Sequence, residues 1–556
     1  ASKNSSSNST KTDKANPPGN RKPKATRASN KEGPAVLNLI QIHLRTHRFF
    51  LLAWLTPLTL FFASMPSAYS NSYTDAESLA KVQEQMSNSF GLVVIYGKIP
   101  EPFNYATWTV WETTSWGFIL AAIMGLLLGS SVSRGLEESG QAELLQSNGL
   151  SAGVLRRAAL TVTILTSVLW GVLVAVSLWA NAGISNDFTA SGSLLTGYSA
   201  FLLTCFFGLL AILAGEAFGS ARAARQASFL AILITFSTRV IADVYDHPWL
   251  HWLTPFGWVK VVKPYQHDGN QWLPTIIFTA VLLLMSIPII VVNRDLHSQW
   301  VRLRSRKYRA AGWGPWSLWW RLQGPVIVWW AVAIIFVSTG FFAMTGEMNS
   351  VFENSPGTAE LAAQMVPDLQ NAYAYMSGII VGLIVCCMAI QLVLAGYKAE
   401  NQGLVTLILT TEQRRPMLFL QNFLYTMIAT IMALIPAAFL SAYAAIADSN
   451  VSDDQFSTVV WAIIDLIAPA VACCGIAALC LAIRTGIIAW LVVAASGFLS
   501  FFGSLLKLDK WVLDLSVFAW APHTVDHYRG AIVLLAIGLG SLLAGTVIFA
   551  KRDIVA

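Results

Sequence analysis

The chain has 556 residues, of which 55% are hydrophobic and only 12% charged, with a mean hydropathy of +0.57. A soluble globular chain carries about 25% charged residues, so these values exclude a water-soluble protein. The formal net charge of +6 is modest, and no nucleic-acid partner is expected.

Residues 1–33, rich in Ser, Asn, Lys and Pro and lacking an apolar core, predict a disordered basic tail rather than a cleavable leader. Residues 34–48 place Leu37, Ile40 and Leu44 on one helical face and Asn38, Gln41, Arg45 and Arg48 on others. That is the pattern of an interfacial helix. Apolar runs then recur at about 49–69, 108–131, 158–182, 194–216, 227–245, 274–292, 324–344, 374–396, 417–446, 457–483, 486–505 and 530–550. Each has roughly the 20 residues that a helix needs to cross a bilayer core of about 30 Å. Barrel strands would alternate in segments of about ten. The expected fold is therefore an all-α integral membrane protein with twelve transmembrane helices, the cut between the tenth and eleventh falling at Arg484.

Basic residues gather on one side of this alternation. The linker 293–323 carries Arg294, Arg302, Arg304, Arg306, Lys307, Arg309 and Arg321. The opposite loop 345–373 has none, only Glu347, Glu353, Glu360 and Asp368. Basic loops remain inside, so both termini are expected in the cytoplasm.

The chain reads as two halves, 34–292 and 324–556, joined by that linker. Trp313, Trp316, Trp319 and Trp320 make a second interfacial element at its end. Two landmarks recur. A polar island at 134–157 contains Glu137, Gly140 and Leu144, which stand 263 positions before Glu400, Gly403 and Leu407 of the segment 397–416. Trp249 with Leu253–Trp258 recurs as Trp511 with Leu515–Trp520, at an offset of 262. Two parallel six-helix repeats, related by an axis along the membrane normal, are expected.

No GxxxxGK[ST] phosphate loop, HExxH site or CxxC site occurs, so the chain reads as a transporter and not as an enzyme, with no catalytic residues, metal or cofactor of its own. In the island, Glu137, Glu138 and Glu143 begin a short helix with an apolar edge of Leu136, Leu144 and Leu145. A solvated loop needs no such edge, whereas a docking helix does. Within the spans, Arg239 and Asp243 lie four apart on one face and read as a salt bridge locking span five, or as a gate or a substrate contact. Glu112, with Trp108 and Trp116 near it in span two, is a candidate contact for a cationic substrate, and Phe62 and Trp111 are further aromatics of that region. Glu216 is expected to partner Arg222 or Arg225, and Asp465 to lie near the outer end of span ten. His247 and His251, with His523 and His527, form two i,i+4 pairs that read as interfacial polar groups. The six cysteines all fall in spans; Cys386-Cys387 and Cys473-Cys474 point about 100° apart on a helix and read as small apolar packing, with no structural disulfide.

The pattern EExGxxELL at Glu137–Leu145, Arg239 before Asp243, Leu253–Trp258 followed by Lys263-Pro264, and Trp511–Pro522 together resemble the ABC-2 type permeases called exporters of polyketide antibiotics, which are found in actinobacteria and include tetronasin-type drug exporters. The resemblance covers about 35–556. It implies an ABC-2 (type V) exporter fold in a bacterial plasma membrane, working with two copies of a separate ATPase that binds ATP and Mg. It implies that Glu137, Glu138, Gly140, Glu143 and Leu144, with Glu400 and Gly403, lie in coupling helices seated on those ATPases. The second copy departs from the pattern with Asn401-Gln402 and Thr406, and the family's SPF turn reads Ser516-Val517-Phe518. The expected substrate is a hydrophobic or amphiphilic antibiotic or drug, or a lipid. A proton-driven secondary transporter and a membrane-embedded lipid-modifying enzyme are the alternative readings.

Overall fold

The computed structural model describes residues 29–553 except 74–75, 88–89, 267–270, 292–297, 301–314, 347–371, 402, 411–412, 447–453, 503–508 and 522–527. Most of the expected N-terminal tail, most of the basic linker with Trp313, the acidic loop after span seven, and His523 and His527 lie outside the described residues. Among the described residues every regular element is helical. Eleven helical stretches among the described residues are long and apolar enough to cross a bilayer. The remaining expected span, 486–505, is a helix of 17 residues, whose expected continuation lies outside the described residues.

The first half of the chain forms α1 (Ser29–Ser72), α2 (Ala76–Ser87), α3 (Phe90–Tyr96), α4 (Tyr105–Val132), α5 (Arg134–Glu138) and α6 (Gln141–Ser147). It continues with α7 (Ala152–Trp179), α8 (Ala190–Ala217), α9 (Ala221–Val244), α10 (Leu250–Leu253), α11 (Trp258–Val262) and α12 (Trp272–Val291). The second half forms α13 (Pro315–Phe342), α14 (Ala372–Asn401), α15 (Leu404–Leu409), α16 (Arg415–Ile446) and α17 (Asp454–Ile464). It ends with α18 (Ile467–Ala482), α19 (Gly486–Phe502), α20 (Lys510–Leu513) and α21 (Tyr528–Lys551).

Three boundaries differ from the hydropathy reading, one of them before span seven, where Trp316, Trp319 and Trp320 of the expected interfacial element run unbroken into the span as α13. The expected interfacial helix 34–48 is not separate: it runs unbroken into the first span as α1, 44 residues long. No Gly or Pro stands between Ala35 and Thr56 to break it. At 1.5 Å per residue α1 is about 66 Å long, so part of it lies beyond any hydrocarbon core. The tenth span is interrupted at Asp465-Leu466, between α17 and α18. Pro469 has no N–H to offer the Asp465 carbonyl, which accepts from Ala468 instead at 3.3 Å.

The chain divides into two compact units. One comprises Ala1–Pro66, Trp116–Arg239 and Trp249–Leu303; the other comprises Ser67–Ser115, Val240–Pro248 and Arg304–Ala556. Hydrophobic force does not draw helices together in lipid, so close backbone approach through small residues does the work. In the first unit α7 meets α8 at Gly171 and Gly197, where a Cβ on Gly171 would stand 2.6 Å from the Gly197 carbonyl oxygen. In the second, α18 meets α21 at Gly475 and Gly538, where a Cβ on Gly538 would stand 2.5 Å from the Val471 carbonyl. Cys386, Cys473 and Cys474 are buried in the core of that second unit, and all six cysteines are free thiols. Many hydroxyls within the spans bond to their own helix, as Thr163 does to the Ala159 carbonyl and Thr430 to the Thr426 carbonyl, each at 2.9 Å. That keeps polar atoms satisfied where no water can reach them.

Candidate functional site

The polar island folds as an elbow in the first unit. Gly140 separates α5 from α6 with φ 73° and ψ −2°, a left-handed conformation that glycine adopts without a Cβ clash. Beyond α6, Gly149 (φ 89°) closes the helix: its N–H bonds to the Gln146 carbonyl at 2.9 Å and the Leu150 N–H to the Leu145 carbonyl at 3.2 Å. These are the two bonds of a Schellman cap.

The elbow is tied down by its first residue. Arg134 is only 2% exposed. Its guanidinium donates to the Glu137 carboxylate at 2.8 Å, to the Gly219 carbonyl at 2.7 Å and to the Ser298 carbonyl at 3.3 Å. Glu138 accepts the Ala221 N–H at 2.6 Å, an anion at the start of α9 where the helix dipole favours it. Of the three expected docking leucines, Leu136 and Leu145 turn to the core. Leu144 alone projects, 66% exposed, beside exposed Glu143.

The second elbow, in the other unit, repeats this geometry. Gly403 has φ 72° and ψ 3° and opens α15. Val405 is buried, as Ala142 is at the matching place, and Leu407 is 65% exposed. Glu400 sits differently from an outward docking group. It is 2% exposed; Arg484 donates to one carboxylate oxygen at 2.7 Å, and Arg552 donates to the other.

The second sequence landmark also repeats in structure. Buried Thr254 donates to the Thr235 carbonyl at 2.6 Å, and buried Ser516 to the Ser496 carbonyl at 3.0 Å. Each is followed by a 3-10 turn, and the indole N–H of Trp258 and of Trp520 returns to the carbonyl six residues back, Trp252 at 3.1 Å and Asp514 at 2.7 Å.

Glu112 stands half-buried in an aromatic cluster of the second unit. The Tyr69 hydroxyl donates to its carboxylate, and the Tyr69 ring stacks on Trp108 with centroids 4.2 Å apart. Phe103 and Tyr73 close on the same indole at 5.2 and 5.4 Å. Burial raises the Tyr73 hydroxyl above its ordinary range, with Glu112 adding to the effect. Tyr69, Tyr73 and Phe103 are the members of this cluster that the sequence reading missed; nothing local links Tyr69 to a carboxylate 43 residues away. Trp116 is half-buried one turn further along α4. Phe62 packs edge-on against Trp170 in the first unit, with centroids 5.7 Å apart.

Arg239 and Asp243 are both buried one turn apart on α9, and the Arg239 guanidinium lies 5.7 Å from the centre of the Phe236 ring. Glu216 is buried as well. His247 and His251 do not share a helix: α9 ends at Val244 and α10 begins at Leu250, so their i,i+4 spacing brings no helical register. Asp246 between them has φ 55° and pairs with Lys98 at 2.8 Å. Among the described residues, no group of three or more His, Cys, Asp or Glu side chains is placed to hold a metal ion.

Residues 149–153, Gly-Leu-Ser-Ala-Gly, carry the spacing of a hydrolase nucleophile elbow. The local structure is of another kind. Ser151 follows a helical turn rather than a strand, and its hydroxyl accepts the Val154 N–H at 3.4 Å as the N-cap of α7.

Many helices long and apolar enough to span a bilayer describe a multi-pass membrane protein. The comparisons agree. Residues 313–550 match the family model described as the C-terminal domain of the multidrug efflux system permease Rv1217c. Over 404 residues the chain is 24% identical to the multidrug efflux system permease protein Rv1217c of Mycobacterium tuberculosis (strain ATCC 25618 / H37Rv), a match that covers 71% of this chain and 70% of that protein.

Proposed function

We propose that the chain is the permease subunit of an ATP-driven exporter of the ABC-2 (type V) class, which moves hydrophobic or amphiphilic drugs or antibiotics out of the cell. One observation carries this reading. Two short helices, α6 and α15, each begin at a left-handed glycine, bury the second residue after it and expose a leucine four residues after it. A rigid, matched pair of apolar knobs suits a symmetric pair of partners. Two copies of a separate ATPase would each receive one elbow, and ATP and Mg²⁺ would be held there. Leu144 and Leu407 would be the central contacts, with Glu143 at the rim, while Glu137 and Glu138 hold the first elbow in shape from within and Glu400 lies behind the second without shaping its contact face.

In this reading the elbows face the cytoplasm together with both termini, and twelve spans form two parallel six-helix repeats. The substrate class rests on the relative's name and on the resemblance to polyketide-antibiotic exporters. Glu112 supports a cationic amphiphile in particular, because a carboxylate among aromatic faces attracts an organic cation. Buried Arg239 and Asp243 would act at the gate or lock α9.

The test is affinity purification of the tagged chain from its host, with mass spectrometry of what accompanies it. A phosphate-loop ATPase at two copies per permease is expected. A chain recovered alone, and active in proteoliposomes with only a proton gradient, overturns the ATP-driven reading in favour of secondary transport.

A further inference from the structure

Both elbows are fastened at corresponding places, by different chemistry. In the first unit Arg134 and Glu138 hold the turn between α8 and α9 through the Gly219 carbonyl and the Ala221 N–H, and Arg134 also reaches the Ser298 carbonyl beyond α12. In the second unit the same two regions are reached by one carboxylate. Arg484, 263 positions after Ala221, lies in the turn between α18 and α19, and Arg552 follows α21. Both donate to Glu400.

Arg484 occupies a position that glycine usually fills. Its φ is 61°, and it is the left-handed residue of a Schellman cap: the Thr485 N–H bonds to the Cys480 carbonyl at 3.0 Å and the Arg484 N–H to the Leu481 carbonyl at 3.4 Å. A side chain there makes the backbone less comfortable, and what this one supplies is the 2.7 Å bond to Glu400. Arg552 is built in as firmly. Its guanidinium also donates to the Leu481 carbonyl at 3.5 Å and lies 5.0 Å from the centre of the Phe549 ring, and Arg415 donates to its carbonyl at 3.0 Å.

We propose that Glu400 is a positioning residue: it links the second elbow to the α18–α19 turn and to the end of α21, so that a displacement of α15 is carried into the last three spans. This rests on the elbow reading above. Glu400 does not touch the partner; it decides whether what the partner does to α15 reaches the helices that must move. A bidentate carboxylate between two guanidiniums suits that task because charge-assisted bonds are short and directional.

The experiment expresses the full chain with its ATPase as wild type, Glu400→Gln, Glu400→Asp, Arg484→Gly and Leu407→Asp. It reads three things: chain in the membrane, ATPase retained on purification, and ethidium efflux. Glu400→Gln keeps the ATPase and lowers efflux about ten-fold, the scale of a lost coupling contact, and Glu400→Asp restores part of it. Arg484→Gly removes the ion pair while giving the turn the residue its φ favours, so it folds and also exports slowly. Wild-type efflux from either Glu400→Gln or Arg484→Gly overturns the proposal, as does loss of the ATPase in Glu400→Gln. Leu407→Asp separates the two ideas. If it keeps the ATPase, the elbow reading fails; if it loses the ATPase while Glu400→Gln exports normally, only the tie fails.

Discussion

Leu144 and Leu407 stand 263 positions apart, and each lies four residues after a left-handed glycine with its side chain about two-thirds exposed. Neither is needed by its own core, since the buried partners in the elbows are Ala142 and Val405. Substituting aspartate at both positions is expected to change stability by no more than about 0.5 kcal/mol, as for other exposed sites. The ATPase is expected to be lost on purification. Thermal melting of the detergent-solubilised chain, set against recovery of the partner, checks this; a retained ATPase removes the docking role of the leucines.

Tyr69 is the donor that satisfies the Glu112 carboxylate. Tyr69→Phe leaves that group without its hydroxyl partner, which costs about 1–3 kcal/mol for a buried polar atom and shows as a lower melting temperature. Glu112→Gln keeps an acceptor for Tyr69 and should melt near wild type. Its efflux of a cationic dye should fall while that of a neutral dye of similar size does not. Equal loss of both dyes would mean that Glu112 is structural.

Helix contacts through glycine give a third expectation. Gly171→Ala brings a methyl against the Gly197 carbonyl in the first unit, and Gly538→Ala does the same against the Val471 carbonyl in the second. Overpacking at such crossings costs about 1–3 kcal/mol. Both variants should give less folded chain in the membrane and earlier melting, whereas Gly540→Ala, with open space around its Cβ position, should behave as wild type.

Asp246 supplies a pH dependence with a definite sign. The Lys98 ammonium, 2.8 Å away, holds its carboxyl below the ordinary carboxylate range. The stabilisation from the pair is therefore complete above that ordinary range and is lost as pH falls through the lowered value. Asn tolerates the left-handed backbone as Asp does, so Asp246→Asn should remove this part of the acid sensitivity and little else. Melting curves from neutral pH down to about pH 3 test it. The pair is exposed, so the effect should be small and should shrink in salt.

Hydropathy alone placed twelve spans, and among the described residues eleven of them are helices long and apolar enough to cross a membrane, because a run of about twenty apolar residues has few other ways to exist in water or lipid. The shared spacing of Gly140 and Gly403 was legible, but the turns they make were not: the sequence reading ran one helix from Glu137 past Glu143, where the left-handed Gly140 divides α5 from α6. The recurrence of the segments that end in Trp258 and Trp520 was legible as well; there hydroxyl and indole bond within their own neighbourhood or to the preceding span. The break at Asp465 was visible in principle through Pro469, but the apolar run around it is continuous and masked the signal.

The roles of the acids were decided only by tertiary structure. Glu138, Glu143 and Glu400 look equally available in the sequence. Glu138 is engaged by a backbone N–H 83 residues away, and Glu400 by arginines 84 and 152 residues away, while Glu143 remains on the exposed face. Tyr69 reaches Glu112 in the same non-local way. Composition and periodicity report how a residue sits on its own helix. Which charge meets which depends on how helices far apart in the sequence come together, and that is set by packing of their small and apolar faces, which constrains the charged residues without naming their partners.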